Sequence, residues 1–301
     1  MSNPPYLKPH ISYQEQVNKL LERGMIIEDK ARAIQTLEHI NYYRLGVYWH
    51  SFEVDHKTHR FKPGTRFEDV VSLYDFDRQL RLLVLDAIER FEVSARTQWT
   101  YHLSDAYGPH AHLVAKAHSN NWSKTVEDLQ KEIKRSDEIF IKKILSKYDG
   151  NSPPIWAVSE IMSFGLLSKW YKNLRVNTLR KNIARVYDVH PDVLQSWMQH
   201  FTVLRNNCAH HSRLWNRQFG RVAPMQPKYH QVLDERQFVP DHPLGNSLVI
   251  LLYLLDIISP KHSWRARFIA LTEDFPRVKL QEMGLGKDWR NLAIWHDTEL
   301  L

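Results

Sequence analysis

Apolar residues recur at steps of three and four along most of the chain, and this spacing predicts amphipathic α-helices. The longest pattern begins at Thr65, which has capping-box spacing with Glu68, and it predicts one helix that runs to about Leu103. Pro191 opens another predicted helix, because proline is well tolerated in a first helical turn. Shorter helices are predicted over residues 12–23, 29–40, 123–148, 155–174, 177–187, 247–258 and 261–273.

Signals for β-strands are few. Residues 41–54 fit either a helix or a strand, and residues 56–65 are a turn-rich connector that can form a hairpin. A long connector with prolines covers residues 216–246, and the tail from residue 284 can pack back onto the body. We therefore predict an all-α helical bundle that forms a single domain over residues 1–301, with weaker boundaries at 105–122 or 149–154.

The composition narrows the class of protein. A net charge of +7 and a pI near 9.3 favour a polyanionic partner, which leaves RNA, DNA and an anionic membrane surface open. The single cysteine, Cys208, excludes an internal disulfide and a zinc site of the thiolate type. The first ten residues lack the apolar run of a signal peptide, and the apolar run at 248–255 is too short to cross a membrane. We therefore expect a cytoplasmic protein with no membrane partner.

The stretch LRNNCAHHSRLWNR, residues 204–217, carries the most informative chemistry. Asn206 and His210 are four residues apart and share a helix face, and Arg205 lies about 100° from Asn206 on the same polar side. The stretch contains no carboxylate, so its guanidiniums and imidazoles suit a phosphate. A solvated polar face, or a structural hydrogen-bond cluster at a helix end, is the alternative interpretation.

Several sequence blocks resemble known families. RNNCAH at 205–210 is similar to the Arg-x4–6-His signature of the HEPN superfamily, in which a polar residue follows the arginine. The wider chain resembles the Abi-like (AbiD/AbiF) abortive-infection family in blocks that follow the family order. These blocks lie at residues 8–27, INYYRLGVYW at 40–49, 61–81, IERFEVSARTQWTYHL at 88–103, 153–171, 196–217 and 283–289. Residues 105–150 and 218–245 carry little resemblance.

This resemblance implies a HEPN-type four-helix core, with an active-site helix at about 191–214 and helical extensions at both ends. It also implies a metal-independent endoribonuclease of phage defence or of a toxin–antitoxin system, which leaves 2′,3′-cyclic phosphate and 5′-hydroxyl ends. Arg205 and His210 would be the catalytic pair, Asn206 would orient the histidine or the phosphate, and His211 and Arg213 would assist. HEPN ribonucleases generally form homodimers with a composite site, and a cognate RNA or protein antitoxin would keep such an enzyme silent.

Sequence signals for a functional role are weaker at several other residues. Arg96 and His102 could form a second Arg–His motif, but they lie about 120° apart on an unbroken helix. We prefer Arg96 as a supporting residue, or as the partner of Glu92 in a surface ion pair. The candidate RNA-binding residues are Trp215, for base stacking, and Arg217, Arg180, Lys181 and Arg185.

Further histidines and tryptophans have structural interpretations. His56, His59, His110, His112 and His118 are expected to be solvated loop residues, so we predict no metal site and no cofactor. The apolar neighbours of five tryptophans predict that they are core residues, and these are Trp49, Trp99, Trp156, Trp170 and Trp197.

Two alternatives to a ribonuclease remain at this point. The first is a non-catalytic RNA-binding regulator that uses the same basic site. The second is a protein whose site is modified by a partner nucleotidyltransferase, for which the sequence offers no direct sign.

Overall fold

The computed structural model describes Pro5, Leu7 and residues 9–119, 121–148, 152–219 and 243–296. Within this part of the chain it contains twelve α-helices and one antiparallel pair of short strands, so the all-α prediction is confirmed. The helices are α1 Tyr13–Glu22, α2 Lys30–His39, α3 Tyr42–Trp49, α4 Phe67–Tyr107, α5 Trp122–Arg135, α6 Ile139–Lys147, α7 Ile155–Ile161, α8 Phe164–Lys172, α9 Asn177–Arg185, α10 Pro191–Ala209, α11 Pro243–Ile258 and α12 Trp264–Asp274. The strands are β1 Glu53–Asp55 and β2 Arg60–Phe61.

Local sequence signals set the first two helices. Ser12 caps α1 and forms a capping box with Glu15, and Gly24 follows the helix in the left-handed conformation at φ 92°. Asp29 caps α2 by accepting a hydrogen bond from the backbone N–H of Arg32 at 2.9 Å. These two helices match the predicted ranges to within one residue at each end.

The ambiguous segment at 41–54 contains both kinds of structure. It forms α3, then a 3-10 turn over His50–Phe52, and then β1, which the predicted hairpin joins to β2. The long helix α4 starts at Phe67, slightly later than predicted, and the hydroxyl of Thr65 donates a hydrogen bond to the backbone oxygen of Lys62.

Two predicted helices are each broken into two. The helix expected over 123–148 ends at Arg135 and restarts at Ile139, and the helix expected over 155–174 is interrupted at Met162 and Ser163. Ser163 caps the new helix α8 by accepting a hydrogen bond from the backbone N–H of Leu166 at 3.3 Å. The apolar periodicity continues through both breaks, so it did not reveal them.

The chain divides into two compact units, and the division falls within α4 rather than at 105–122 or 149–154. One unit contains residues 1–80 and 270–278, and its core includes the buried Tyr48, whose hydroxyl donates to the buried Asp77 at 2.8 Å. The other contains residues 81–269 and 279–301.

The core of the second unit is rich in aromatic side chains. The rings of Phe91 in α4 and Phe201 in α10 pack edge to face with their centroids 5.8 Å apart. The ring centroids of Trp99 and of Trp170 in α8 are 5.7 Å apart. Trp49, Trp99, Trp170 and Trp197 are buried as predicted, whereas Trp156 is exposed and its prediction as a core residue is wrong.

The tail packs as expected over its described residues. Trp289 and Trp295 are buried, and their ring centroids are 4.7 Å apart. Both rings also contact the ring of Phe268 in α12. Most of the predicted connector, residues 220–242, lies outside the described residues, as do residues 297–301. Among the helices that the structure describes, none combines the length and the apolar character that a membrane crossing needs.

Candidate active site

Helix α10 presents the predicted Arg–His motif at its C-terminal end. Pro191 occupies the first turn, and the apolar stripe through Leu194, Trp197, Phe201, Leu204 and Cys208 is fully buried. Helix α10 packs against α8 and α9, and Phe201 and Trp197 of the stripe contact Phe91 of α4 and Tyr253 of α11. The helix therefore cannot rotate without exposing its core. The polar residues of the motif are therefore held on the opposite side of a fixed helix.

The side chains of Arg205 and Asn206 lie together on the polar side of α10. The guanidinium of Arg205 donates one hydrogen bond, of 3.4 Å, to the side-chain oxygen of Asn206. Within the described residues, Arg205 has no ion pair with a carboxylate. Most donors of this guanidinium remain available, and a planar fork of this kind suits phosphate oxygens.

His210 ends α10. Its backbone N–H donates to the backbone oxygen of Asn206 at 3.0 Å, and its side chain is exposed. In the part of the chain that the structure describes, the imidazole has no hydrogen-bond partner. The next residue, His211, adopts a left-handed conformation at φ 57°, which turns the chain away from the helix axis.

Arg213 and Arg217 help to hold the turn that follows. Arg213 donates to the backbone oxygen of Asn216 at 3.3 Å, and Arg217 donates to the backbone oxygen of Arg213 at 3.5 Å. The buried Arg81 of α4 approaches the backbone oxygen of Ser212 at 3.5 Å. These arginines have structural contacts with the turn, whereas Arg205 does not.

Trp215 lies in the interior. Its side chain is buried, and its indole N–H donates to the backbone oxygen of Lys279 at 3.2 Å. The ring therefore offers no open face to a base, which contradicts its predicted role in base stacking.

Carboxylates of α4 lie beside Arg205, and the sequence of the motif gave no indication of them. An open depression of about 410 Å³ is lined by Leu82, Leu85, Asp86, Glu89, Glu92 and Arg205. Asp86 is paired with Arg90 at 3.2 Å and with Arg267 at 2.9 Å, which offsets its charge. The folded site therefore contains acidic groups, although the motif stretch itself has no carboxylate. The motif stretch gives no sign of them because they lie more than a hundred residues earlier in the chain.

Glu92 pairs with Arg96 one helical turn later, and both side chains are mostly buried, with 12% and 15% of their surfaces exposed. The predicted ion pair is confirmed, but it is not on the surface. Arg96 also donates to the backbone oxygens of Glu160 and Met162, at 3.4 and 2.7 Å, where α7 breaks from α8. Arg96 thus satisfies carbonyl groups that the helix break leaves without partners.

Burial raises the pKa of the Glu92 carboxyl, and the nearby guanidiniums of Arg96 and Arg205 oppose that effect. Glu92 and Arg205 line the same depression, so the two groups are electrostatic neighbours. Arg96 and His102, by contrast, sit on one unbroken helix, and Arg96 is engaged by the ion pair and the helix break. This arrangement does not bring Arg96 and His102 together as a second motif.

The basic stretch before the motif separates into two kinds of residue. Arg180 donates to Asp192 at 2.8 Å and to Gln195 at 3.0 Å, and it lies over the ring of Tyr171. Lys181 and Arg185 are exposed on α9. Arg180 therefore ties α9 to α10, whereas Lys181 and Arg185 are available to a polyanion.

The five loop histidines that the sequence predicted to be solvated differ in exposure. His56 and His110 are exposed as predicted and His59 is half exposed, whereas His112 and His118 are buried, and His112 contacts the Ser152 hydroxyl at 3.0 Å. His56 and His59 surround the buried Glu53 together with His50. The missed signal is the spacing HxxExxH at residues 50–56.

The fold and the site define an all-α protein with an available arginine and an exposed histidine at the end of a buried helix. The sequence model of the family described as Abi-like protein matches residues 35–216, which is more than half of the chain. The chain belongs to the Abi-like family, and this membership associates it with abortive infection, a form of phage defence. No curated protein and no solved structure matches the chain.

Proposed function

We propose that this protein is a metal-independent endoribonuclease of the HEPN type that acts in phage defence. The observation that carries the proposal is the position of Arg205 and His210 at the end of α10. Arg205 has no carboxylate ion pair among the described residues, and His210 exposes an imidazole that has no competing partner there. An arginine and a histidine are enough to bind a phosphodiester and to move protons near neutral pH.

The proposed reaction is an internal transesterification of RNA. One imidazole removes the proton from a ribose 2′-hydroxyl, the 2′-oxygen bonds to the adjacent phosphorus, and the bond to the 5′-oxygen breaks. A protonated imidazole gives a proton to the leaving 5′-oxygen. Arg205 stabilises the negative charge that develops on the phosphoryl oxygens, and Asn206 positions its guanidinium. The products carry a 2′,3′-cyclic phosphate and a 5′-hydroxyl.

A homodimer is part of the proposal, because base and acid catalysis need two imidazoles and the motif supplies His210 as its one catalytic histidine. The face of α4 beside Arg205 exposes two large apolar side chains, Leu82 and Val93. A second copy that covers this face would remove both from water and would add its own Arg205 and His210 to the site. A cognate RNA or protein antitoxin would keep the enzyme silent before infection.

Cleavage of total cellular RNA in EDTA tests the proposal directly. We expect the wild type to cleave and to leave cyclic-phosphate ends, and Arg205→Ala and His210→Ala to lose cleavage by at least about a hundredfold. His102→Ala is the matched control and should cleave like the wild type. A 5′-phosphate product, or strict dependence on Mg²⁺, would overturn the mechanism.

Mixing wild-type chains with an excess of His210→Ala chains tests the composite site. The activity per wild-type chain should fall, because a mixed dimer contains one His210 imidazole instead of two, and sedimentation should give the mass of a dimer. A monomeric, fully active protein would contradict the shared site while leaving the ribonuclease proposal in place.

A non-catalytic RNA-binding regulator is the second candidate. It is favoured by the absence of any side-chain partner that would orient the His210 ring among the described residues, since catalytic histidines are usually oriented by a hydrogen bond. RNA binding by the wild type without cleavage, at every protein concentration and after removal of any copurifying antitoxin, would favour this candidate.

A further inference from the structure

Three histidines converge on one carboxylate in the β1–β2 hairpin and the turn before it. The Nδ1 atom of His56 lies 2.7 Å from one oxygen of Glu53, and Nδ1 of His50 lies 3.0 Å from the same oxygen. Nδ1 of His59 lies 3.3 Å from the other oxygen of Glu53. In each of His50, Glu53 and His56, one potential metal-ligand atom lies within 4.8 Å of those of the other two.

The burial of this cluster is uneven. The side chain of Glu53 has no exposed surface, whereas the side chains of His50, His56 and His59 are 50%, 70% and 44% exposed. An ion in solution can therefore reach the imidazoles, and the buried carboxylate of Glu53 holds them in position through hydrogen bonds. Burial raises the pKa of Glu53, but hydrogen bonds from the three histidines outweigh it and lower the pKa below its usual value.

The ion-pair partners of Glu53 within the described residues are the three imidazoles, and none of them is an arginine or a lysine. A divalent cation held between the imidazoles would add a positive charge beside this buried carboxylate. The nitrogen ligands favour a transition metal over Mg²⁺ or Ca²⁺, which prefer oxygen.

The backbone holds the ligands in place before any ion arrives. The Asp55 side chain accepts hydrogen bonds from the backbone N–H groups of Lys57 and Thr58, at 2.9 and 3.1 Å. The backbone N–H of His59 donates to the backbone oxygen of Asp55 at 3.0 Å, and His59 adopts a left-handed conformation at φ 55°. The hairpin loop is thus fixed by its own hydrogen bonds, which reduces the ordering that binding requires.

We propose that His50, Glu53 and His56 form a binding site for a divalent transition-metal ion of the zinc class, with His59 on the second carboxylate oxygen. Zinc bonds of about 2.0–2.1 Å in a tetrahedral arrangement separate the ligand atoms by roughly 3.3 Å. The contacts of 2.7 and 3.0 Å to Glu53 differ from this separation by a few tenths of an ångström, and the ligand atoms of His50 and His56 lie within 4.8 Å of each other. The bound ion would clamp the turn after α3 to the hairpin loop. The site uses no residue of α10 and is independent of the proposed ribonuclease.

Zn²⁺ titration of the full chain tests this site. The protein should carry no histidine tag and should be treated with a chelator and then dialysed before calorimetry. We expect one Zn²⁺ per chain at micromolar affinity or better, and at least about a tenfold weaker affinity for His56→Ala and Glu53→Gln. His39→Ala, an exposed histidine on α2, is the matched control and should bind like the wild type.

His56 is the most exposed of the ligands, so its replacement removes little buried surface, and the Tm of the metal-free variant is the baseline for its response to Zn²⁺. Zn²⁺ should raise the Tm of the wild type and of His39→Ala but not that of His56→Ala. Co²⁺ should give the visible absorption band of a tetrahedral site in the wild type, and this band should be absent in His56→Ala. The proposal is overturned if the wild type binds no Zn²⁺ at micromolar concentrations, or if His56→Ala and His39→Ala bind it equally well.

Discussion

Arg96 pairs with Glu92 in α4 and also donates a 2.7 Å hydrogen bond to the backbone oxygen of Met162, where α7 breaks from α8. One guanidinium therefore compensates a mostly buried carboxylate and satisfies a helix end. The Arg205 guanidinium, which affects the same Glu92, has no ion pair of its own in the described chain. The structure thereby separates an arginine that stabilises the fold from one that is available to a ligand.

Arg96→Ala should lower the free energy of unfolding by about 3 kcal/mol, because it leaves Glu92 buried without a charged partner. Urea unfolding measures this loss. Arg66→Ala is the control, since it breaks an exposed ion pair with Glu28 and should cost about 1 kcal/mol or less. An equal loss of unfolding free energy in the two variants would show that the Glu92–Arg96 pair contributes no more to stability than an exposed ion pair.

Glu89→Gln should tighten RNA binding about two- to fivefold at low salt. Glu89 is exposed in the depression that Arg205 lines, and removing a nearby negative charge lowers the repulsion of phosphate by about 1 kcal/mol or less. Fluorescence anisotropy with a labelled RNA measures the affinity, and Glu138→Gln, an exposed carboxylate on the edge of α6, is the control. Weaker binding by Glu89→Gln would mean that RNA does not approach Arg205 past this face.

Trp215→Leu should destabilise the protein without weakening RNA binding. The substitution removes a buried ring and its hydrogen bond to Lys279, which should cost about 2–3 kcal/mol. RNA affinity of the folded variant should stay near that of the wild type. A loss of affinity of about tenfold, the size expected for one stacked base, would show that the ring turns outward to the RNA.

Lys181→Ala and Arg185→Ala should each weaken RNA binding and reduce the slope of log affinity against log salt by about 1, if each side chain contacts one phosphate. Arg180→Ala should leave the slope unchanged and should instead lower the Tm, because Arg180 is committed to Asp192 and Gln195. The reverse pattern would contradict the assignment of these three residues.

The low pKa of His112 should make the free energy of unfolding decrease as the pH falls from 6.5 to 4. Burial, with smaller effects from His110 and His118, lowers its pKa from 6.5 to about 4, so the unfolded chain binds more protons than the folded protein between these values. The free energy of unfolding should therefore decrease by up to about 3 kcal/mol across this window from this residue alone.

His112→Gln should show a shallower dependence of stability on pH in the same range, whatever its stability at pH 7. Chemical unfolding at a series of pH values gives the two curves. Parallel curves for the wild type and the variant would mean that His112 does not titrate differently on folding.

Much of the fold follows from short-range signals. Ser12, Asp29 and Gly24 mark helix ends through their own backbone and side-chain chemistry, and the buried stripe of α10 follows from its spacing. The breaks before Ile139 and at Ser163 were missed, because apolar residues keep a helical spacing on both sides of them. Trp156 was misplaced for a related reason, since apolar neighbours in sequence do not decide whether a helix face meets another helix.

The sequence by itself determined the all-α class, the Arg–His motif on α10 and the family resemblance, because each depends on residues that are close in the chain or on the order of blocks along it. Tertiary structure alone decided which distant polar groups meet, namely the carboxylates of α4 beside Arg205 and Arg96 at a helix break 66 residues away. Local spacing fixes the face of a helix, but packing of the whole chain fixes what that face touches.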